Sequence, residues 1–587
     1  MNKLTMIRHH IKAILLRFLE KIKKDKLEII LFAILIIIGI FLRSYKFSDW
    51  LHFEIDQSFD TVIVSDAVEN GIGNLPLLGP TAGGGRSLRL GPAFYYMEYL
   101  SAKIFGNTPT GHAMLVLIFS ILSLPLFYIF IRRYFSRLIS LLLLSLFSLS
   151  LYMILYGRFS WSPNVLPFLI LLTFYTLLRG LSQEKNKVLW LIISATLLVI
   201  VTQIHFNAFF VIPAIFLPIL IIHRKKISPR ICIGALLIFI IFYSPVIISD
   251  IKTNGENFRY FIKKIEKSSG DKNGSLDEKI IRTANYYASE CLFIITGLDH
   301  INGRVTGYGF SSKKHGTWRI GALISLILSL FILLKNLKEE TNPKRKDFLW
   351  LITFWFLASF IYFFFLIKGG VSIRPRFFLI IAPLSFILLG FIFEKIETTQ
   401  IRKGSFAIIA VTIFFIATNA YGLNLYFSRI NQVDKETISV KTEDIFPNTG
   451  RVTLAQQYAI VDYVESIYLQ NNYPVYFQAK HEYEPAIWYH LEKKGIDFYS
   501  RIRLEKIYSE GNYFVMEFSE KDIAEFSDTF SILEIKNFGA LTVFHLTPKP
   551  EAVTGVRQNE LEKETSAQKS KLNKLITWNN LFTKKTD

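Results

Sequence analysis

Long apolar runs alternate with short polar connections along most of this chain, and the run lengths carry the first conclusion. A helix needs about 20 mostly apolar residues to cross a bilayer. Runs of that order lie at 27–45, 111–131, 138–156, 163–178, 188–204, 206–222, 231–248, 318–334, 348–367, 377–393 and 406–423. Each predicts a spanning helix. The expected fold class is a polytopic α-helical membrane protein with about eleven transmembrane helices. No small-x-small cleavage pattern follows the first run, which reads as a signal anchor. Before it, Ile11, Ile14, Leu15, Phe18, Leu19 and Ile22 recur at helical spacing with basic residues between them. That pattern suits a helix lying on a membrane surface.

Polar sequence is concentrated in three places: a loop at 46–110, a loop at 249–317, and everything after 423. Long ordered connections are usually functional. Inside the second loop, Tyr286 to Gly297 is apolar but too short to span, so it is expected at the interface or re-entering. The last part predicts a small α/β domain. Ala455 to Leu469 and Glu484 to Lys493 have helical spacing, while Val475 to Gln478, Tyr513 to Phe518 and Leu541 to Leu546 read as strands. The layout is a basic amphipathic segment at 1–26, a membrane domain at 27–423, an extracytoplasmic α/β domain at 424–550 and a charged, flexible tail at 551–587.

Composition agrees: 51% of residues are hydrophobic and 19% charged, against about 25% charged in an ordinary soluble chain. A disordered chain and a purely soluble enzyme are excluded. The net charge of +20 changes the picture only through its distribution. Basic residues fill the segment before the first run, then every second connection: Arg132, Arg133 and Arg137; Arg179, Lys185 and Lys187; Arg224, Lys225, Lys226 and Arg230; Lys335, Lys338, Lys344, Arg345 and Lys346; Lys395, Arg402 and Lys403. That alternation is the positive-inside signal. It places the N-terminus in the cytoplasm and the C-terminal domain outside the cytoplasmic membrane, and it removes nucleic acid as a partner. Two cysteines, Cys232 and Cys291, exclude a disulfide framework.

Candidate chemistry lies on the outer side. The first loop opens His52-Phe53-Glu54-Ile55-Asp56-Gln57-Ser58-Phe59-Asp60, followed by a helical pattern that Gly71 stops. Asp56 is either an N-cap carboxylate or a base that takes a proton from an acceptor hydroxyl. Asp60 stands at i+4 and can share its face. The two carboxylates could bind a divalent cation or raise one pKa, and a solvated helix face is the plainer reading of Asp60. Gly79-Pro80 and Gly83-Gly84-Gly85-Arg86 lack a following GK[ST], so a P-loop is excluded. Arg86 and Arg89 are candidate anion contacts in a loop over the membrane face. Two further outer turns stand out: Gly157-Arg158-Phe159-Ser160-Trp161-Ser162-Pro163-Asn164, and Lys368-Gly369-Gly370-Val371-Ser372-Ile373-Arg374-Pro375-Arg376. The second puts cations where the positive-inside rule leaves few. They are interfacial anchors or a phosphate clamp, since arginine offers phosphate a fork of donors. His205, ending a span on the same side, reads as structural.

Taken together, Asp56-Gln57 with Asp60, Leu77-Leu78-Gly79-Pro80, Gly91-Pro92-x-x-Tyr95-Tyr96, Arg158-x-x-Trp161-x-Pro163-Asn164 and Arg374-x-Arg376-Phe377 resemble the bacterial GT-C glycosyltransferases. The group most alike is that of protein mannosyltransferases and the lipid A aminoarabinose transferase. The resemblance covers roughly residues 27 to 423. It implies a sugar donor on a polyprenyl phosphate, a glycan, lipid or protein acceptor, and transfer of a hexosyl or pentosyl group on the outer membrane face. By the motif, Asp56 maps to the catalytic carboxylate. The family's usual Asp-Glu pair is Asp-Gln here, which puts a two-carboxylate metal site in doubt.

The reading that follows has Asp56 as base, with Asp60 beside it. Arg376, Arg374 and Lys368, with Arg158 and Arg86 in reserve, offset charge on the leaving phosphate. The sequence names no cofactor and leaves metal dependence open; a divalent cation is the one candidate. A transporter or flippase of lipid-linked sugars would place charges near the midplane of its spans, and these spans carry almost none away from their ends. A non-catalytic scaffold leaves the Asp56 loop and the outer cations without a task.

Overall fold

Helix ends in an apolar chain need polar partners, because lipid offers none. Here serine and threonine supply several: Thr108 accepts from Gly111 N–H, Ser136 from Ile139 N–H and Ser150 from Met153 N–H. The computed structural model describes residues 26–82, 88–182, 186–267, 275–298, 316–368, 375–431, 452–479, 483–517, 520–538, 541–557 and 575–582. The amphipathic segment within 1–25, the Gly-rich stretch at 83–87 and most of the tail lie outside them.

Among the described residues, 9 helices are long and apolar enough to cross a membrane by length and composition, and Arg137–Leu149 and Phe206–Ile222 are shorter apolar helices. Together they overlap the predicted runs, the run at 138–156 only in part, and the protein is a multi-pass membrane protein. The helices are α1 (Lys26–Ser44), α2 (Ile55–Asn70), α3 (Ala93–Phe105), α4 (Pro109–Ile131), α5 (Arg137–Leu149), α6 (Leu151–Tyr156), α7 (Leu166–Ser182), α8 (Lys187–Ile204), α9 (Phe206–Ile222), α10 (Pro229–Lys252), α11 (Glu256–Lys267), α12 (Leu276–Thr296), α13 (Gly316–Glu339), α14 (Pro343–Lys368), α15 (Ala382–Thr399) and α16 (Ile401–Asn431). Of these, α2 and α3 lie in the first long loop.

One predicted element differs, and for a second the structure decides between the two alternatives. The run 138–156 is not one helix: Ser150 adopts φ −58° and ψ 119°, separating α5 from α6. One backbone N–H freed by the break, that of Leu151, is met from another helix, and the Ser150 side chain ties the break to α12. Ser150 Oγ donates to the Ile294 carbonyl at 2.6 Å, and Asn419 Oδ1 accepts from Leu151 N–H at 2.9 Å. The run Tyr286 to Gly297 is the buried end of α12, which packs among α13, α14 and α15. Asn419 Nδ2 and Thr418 Oγ1 donate to its last carbonyls, Ile295 and Thr296, at 2.8 and 2.7 Å. The segment therefore enters the bundle rather than resting on its surface.

The C-terminal domain is a mixed sheet of β1 (Val475–Ala479), β2 (Phe498–Tyr499), β3 (Asn512–Glu517), β4 (Phe530–Phe538) and β5 (Leu541–Pro548), in the order β2-β1-β3-β5-β4. β1 pairs parallel with β2 and β3, and β5 antiparallel with β3 and β4. Alternation sorts the faces. Val475, Phe477, Phe514 and Met516 pack under α17 (Leu454–Asn471) and α18 (Glu484–Lys493), while Tyr476, Tyr513 and Val515 build the opposite face. The domain rests on the first loop. Gln457 Nε2 donates to the Phe53 carbonyl at 2.7 Å, and Ala455 N–H to the Asp49 carbonyl at 3.2 Å.

Candidate active site

The start of α2 is set by a capping box, in which Gln57 Oε1 accepts from Glu54 N–H at 3.1 Å and Glu54 returns a bond to the Gln57 backbone. Glu54 is thus the N-cap, and the N-cap reading of Asp56 is corrected. Asp56 lies one step inside, in the first turn, on the exposed side of α2. A helix N-terminus is a favourable place for a negative charge. Glu54 is held in turn by the Tyr483 hydroxyl at 3.2 Å, and His52 Nδ1 lies 3.3 Å from Glu54 Oε1. The C-terminal domain therefore props up the helix end that presents Asp56.

One turn on, Asp60 points to α3, and the buried Tyr95 hydroxyl donates to Asp60 Oδ1 at 2.7 Å. Burial, then the charges of Glu98 and Asp56, hold the Asp60 carboxyl well above the ordinary range, against the Tyr95 bond and Arg89. Asp56 and Asp60 share a helix but occupy opposed environments.

Glu98 and His112 are residues that the sequence reading missed. Glu98 is fully buried and accepts from Ser160 Oγ at 2.7 Å. His112 Nδ1 lies 3.6 Å from Glu98 Oε1, and His112 Nε2 meets Asn107 Oδ1 at 3.0 Å. Among the described residues, the other Glu98 oxygen has no hydrogen-bond partner. The available signal was an acid three residues after Tyr95 on a helix. Among the described residues, no group of three or more His, Cys, Asp or Glu could hold a metal ion.

Trp161 and Arg376, from two of the connections singled out above, meet. Arg376, at the start of the 3₁₀ stretch Pro375–Ile381, places its guanidinium 4.5 Å from the Trp161 ring centroid. Tyr152 Oη fixes that stretch by donating to the Pro375 carbonyl at 2.9 Å. Arg376 also lies close enough to His205 to repel its protonated form. His205 Nδ1 accepts from Asn207 N–H at 3.2 Å and caps α9, a structural task. The loop before α3 closes on itself: Gly79 N–H donates to the Leu90 carbonyl at 2.8 Å, and a Cβ on Gly79 would stand 2.1 Å from the Gly91 oxygen. The two Gly-Pro steps therefore abut. Arg89 donates to the Gly79 carbonyl at 3.1 Å, and Lys264 on α11 reaches the Ala82 carbonyl at 2.7 Å.

Arg158 is placed otherwise than expected. It is buried and donates to the carbonyls of Leu42, Arg43, Tyr45 and Lys46 at 3.2, 2.8, 2.8 and 3.5 Å. Leu42 and Arg43 belong to the last turn of α1, and Tyr45 and Lys46 follow it directly, so its guanidinium closes a helix end. Arg86 and Arg374 lie outside the described residues; Lys368 ends α14, and its side chain is likewise outside them.

These features define a class: a multi-pass helical membrane protein with an acidic helix in its first long loop and a small sheet domain seated on that loop. The comparisons agree. The sequence model of the family described as dolichyl-phosphate-mannose-protein mannosyltransferase matches residues 90–248. The fold is similar to that of ArnT from Cupriavidus metallidurans in the apo state, with 10% identity, a TM-score of 0.53, and 90% of this chain and 99% of that chain covered. The same protein bound to undecaprenyl phosphate gives 11% identity, a TM-score of 0.51 and the same coverage, 90% and 99%. No curated protein matches the chain.

Proposed function

We propose that this protein is a glycosyltransferase that moves a sugar from a polyprenyl-phosphate donor to an acceptor hydroxyl at the outer face of the cytoplasmic membrane. The observation that carries the reading is the helix α2, which presents Asp56 to the surface one turn from the half-buried Asp60 and its buried partner Tyr95 within an ArnT-like fold. The undecaprenyl phosphate held by the similar ArnT supports a donor of that chemistry.

In the proposed reaction the acceptor oxygen attacks the anomeric carbon from the face opposite the phosphate. Its proton passes to the Asp56 carboxylate. The bond from the anomeric carbon to the phosphate oxygen breaks, and its electron pair stays on the lipid phosphate. Arg376, stacked on Trp161, offsets that charge with a planar fork of donors. Arg374 and Lys368 stay in the proposed phosphate set. Arg158 leaves it, because it closes α1; Arg86 stays in it as a reserve contact. A single displacement inverts the anomeric centre.

The test is purified protein incubated with a panel of polyprenyl-phosphate hexoses and pentoses, with release of lipid phosphate followed in time. Asp56→Asn should lower turnover by about 10²–10⁴-fold, the usual span for a general base, with an unchanged unfolding temperature. Near-normal turnover in that variant removes Asp56 as the base. Release from none of the donors removes the transferase reading.

A further inference from the structure

Residues 575–582 return from the far end of the sequence to the first outer loop and bind it by backbone and side chain together. Leu77 N–H donates to the Ile576 carbonyl at 2.9 Å and Trp578 N–H to the Leu75 carbonyl at 3.3 Å, around an antiparallel bridge between Pro76 and Thr577. The Trp578 indole N–H donates to Tyr96 Oη at 2.8 Å, and Tyr96 Oη donates onward to the Pro76 carbonyl at 3.2 Å. Burial pushes the Tyr96 phenol up to about 12, so it keeps the proton this chain of bonds requires. Asn579 Nδ2 meets Asn74 Oδ1 at 2.6 Å. Position 73 is shaped for this contact: a Cβ there would stand 2.1 Å from Asn579 Oδ1.

The clasped stretch sits at a junction of the candidate site. Beyond Leu77 the chain enters the closed loop from Gly79 to Leu90, which carries Arg89. Tyr96 neighbours Tyr95, the donor to Asp60. Arg89 in turn lies close enough to Asp60 to favour its charged form. Holding Leu75, Pro76, Leu77 and Tyr96 therefore fixes both the base of the Arg89 loop and α3, the helix that carries Tyr95.

We propose that residues 575–582 form a clasp that positions the first outer loop for donor binding, with Trp578 as its positioning residue. This role rests on the reading of the site as a glycosyltransferase centre. Trp578 touches no reacting atom; it acts through Tyr96 and the Leu75–Leu77 backbone.

The test uses the full chain, with hydrogen exchange at Leu77 and Trp578 reporting the clasp and steady-state kinetics with a polyprenyl-phosphate sugar reporting the site. Trp578→Phe keeps the ring and removes the N–H. Gly73→Ala forces Asn579 away, and Gly73→Ala with Asn579→Ala removes the obstructing atoms again. Both single-site changes should speed exchange at Leu77 and raise KM for the donor by about 2- to 10-fold, the range for one lost hydrogen bond. kcat and the unfolding temperature should stay near the parent's. The double variant should recover protection and KM. Unprotected Leu77 and Trp578 amides in the parent overturn the clasp. Faster exchange with unchanged KM overturns the positioning role and leaves a structural contact. A parent that protects both amides yet releases phosphate from no donor overturns the site reading, and the positioning role with it.

Discussion

At Asp60 the protein keeps a carboxyl where a carboxylate is disfavoured, and this has a sign that can be measured. Burial, Glu98 and Asp56 hold its pKa above the value it has in the unfolded chain. Between those two values the folded state binds more protons than the unfolded state, so stability falls as pH rises through the folded pKa. Asp60→Asn removes the titration while keeping a partner for the Tyr95 hydroxyl. The variant should lose less stability than the parent as pH rises from the ordinary carboxylate range, and should overtake it at the alkaline end. Unfolding temperatures of both proteins across about pH 5 to 9 check this, and parallel curves would place the raised proton elsewhere. Arg376 gives a second prediction at the same scale. Arg376→Lys keeps charge and stem but loses the fork, so turnover should fall by about 1.5–3 kcal/mol in activation free energy, typical of a bond to a charged group. Membrane insertion and unfolding temperature should not change. Turnover equal to the parent's would assign the phosphate contact to Arg374 or Lys368.

At the scale of elements, the end of α1 depends on a residue that is remote in sequence. Arg158 closes four carbonyls between Leu42 and Lys46 and lies 5.5 Å from the Phe427 ring centroid on α16, so it ties α1 to the last span. Arg158→Lys offers one ammonium for a set of acceptors that a planar fork serves. Unfolding should be easier by about 1.5–3 kcal/mol, with donor KM unchanged in the folded fraction. A raised KM with normal stability would return Arg158 to the phosphate set. The same residue shows why the sequence was legible only in part. Hydropathy reads directly along the chain, so the apolar runs, Gly71 as the stop of α2 and the helix Glu484–Lys493 could be placed. The task of Arg158 depends on carbonyls that only folding brings near. Ser150 breaks a run that stays apolar throughout, and the break is made by partners on α12 and α16. β4 escaped because Ile532 and Leu533 are adjacent and the register shifts between Ile532 and Glu534, which spoils a two-residue alternation. Glu98 and His112 sit inside apolar segments, where a single polar residue says little without its partner. Asp56 and Asp60 were readable as candidates because i and i+4 share a face, but their contrast in burial was not.

For the whole molecule, the charge pattern and the contacts divide the connections between two faces in the same way. On one face Glu28, at the start of α1, pairs with Arg132 and Arg137 at 2.8 and 2.7 Å, and Arg345 bridges to Glu394 at 2.7 Å. These belong to the basic connections that the positive-inside rule assigns to the cytoplasm. On the other face the C-terminal domain holds Phe53 and Glu54, and residues 575–582 hold Leu75, Pro76 and Leu77. The first outer loop and the C-terminal domain must therefore share one compartment, whichever it is. A topology reporter inserted at Gly71 and one fused after Leu423 should give the same answer, active outside, and a reporter between Arg224 and Arg230 the opposite one. All three results reversed would invert the molecule and place the Asp56 face in the cytoplasm, ending the proposal of transfer on the outer surface. Disagreement between the Gly71 and Leu423 reporters would break the contact between loop and domain on which the support of Asp56 depends.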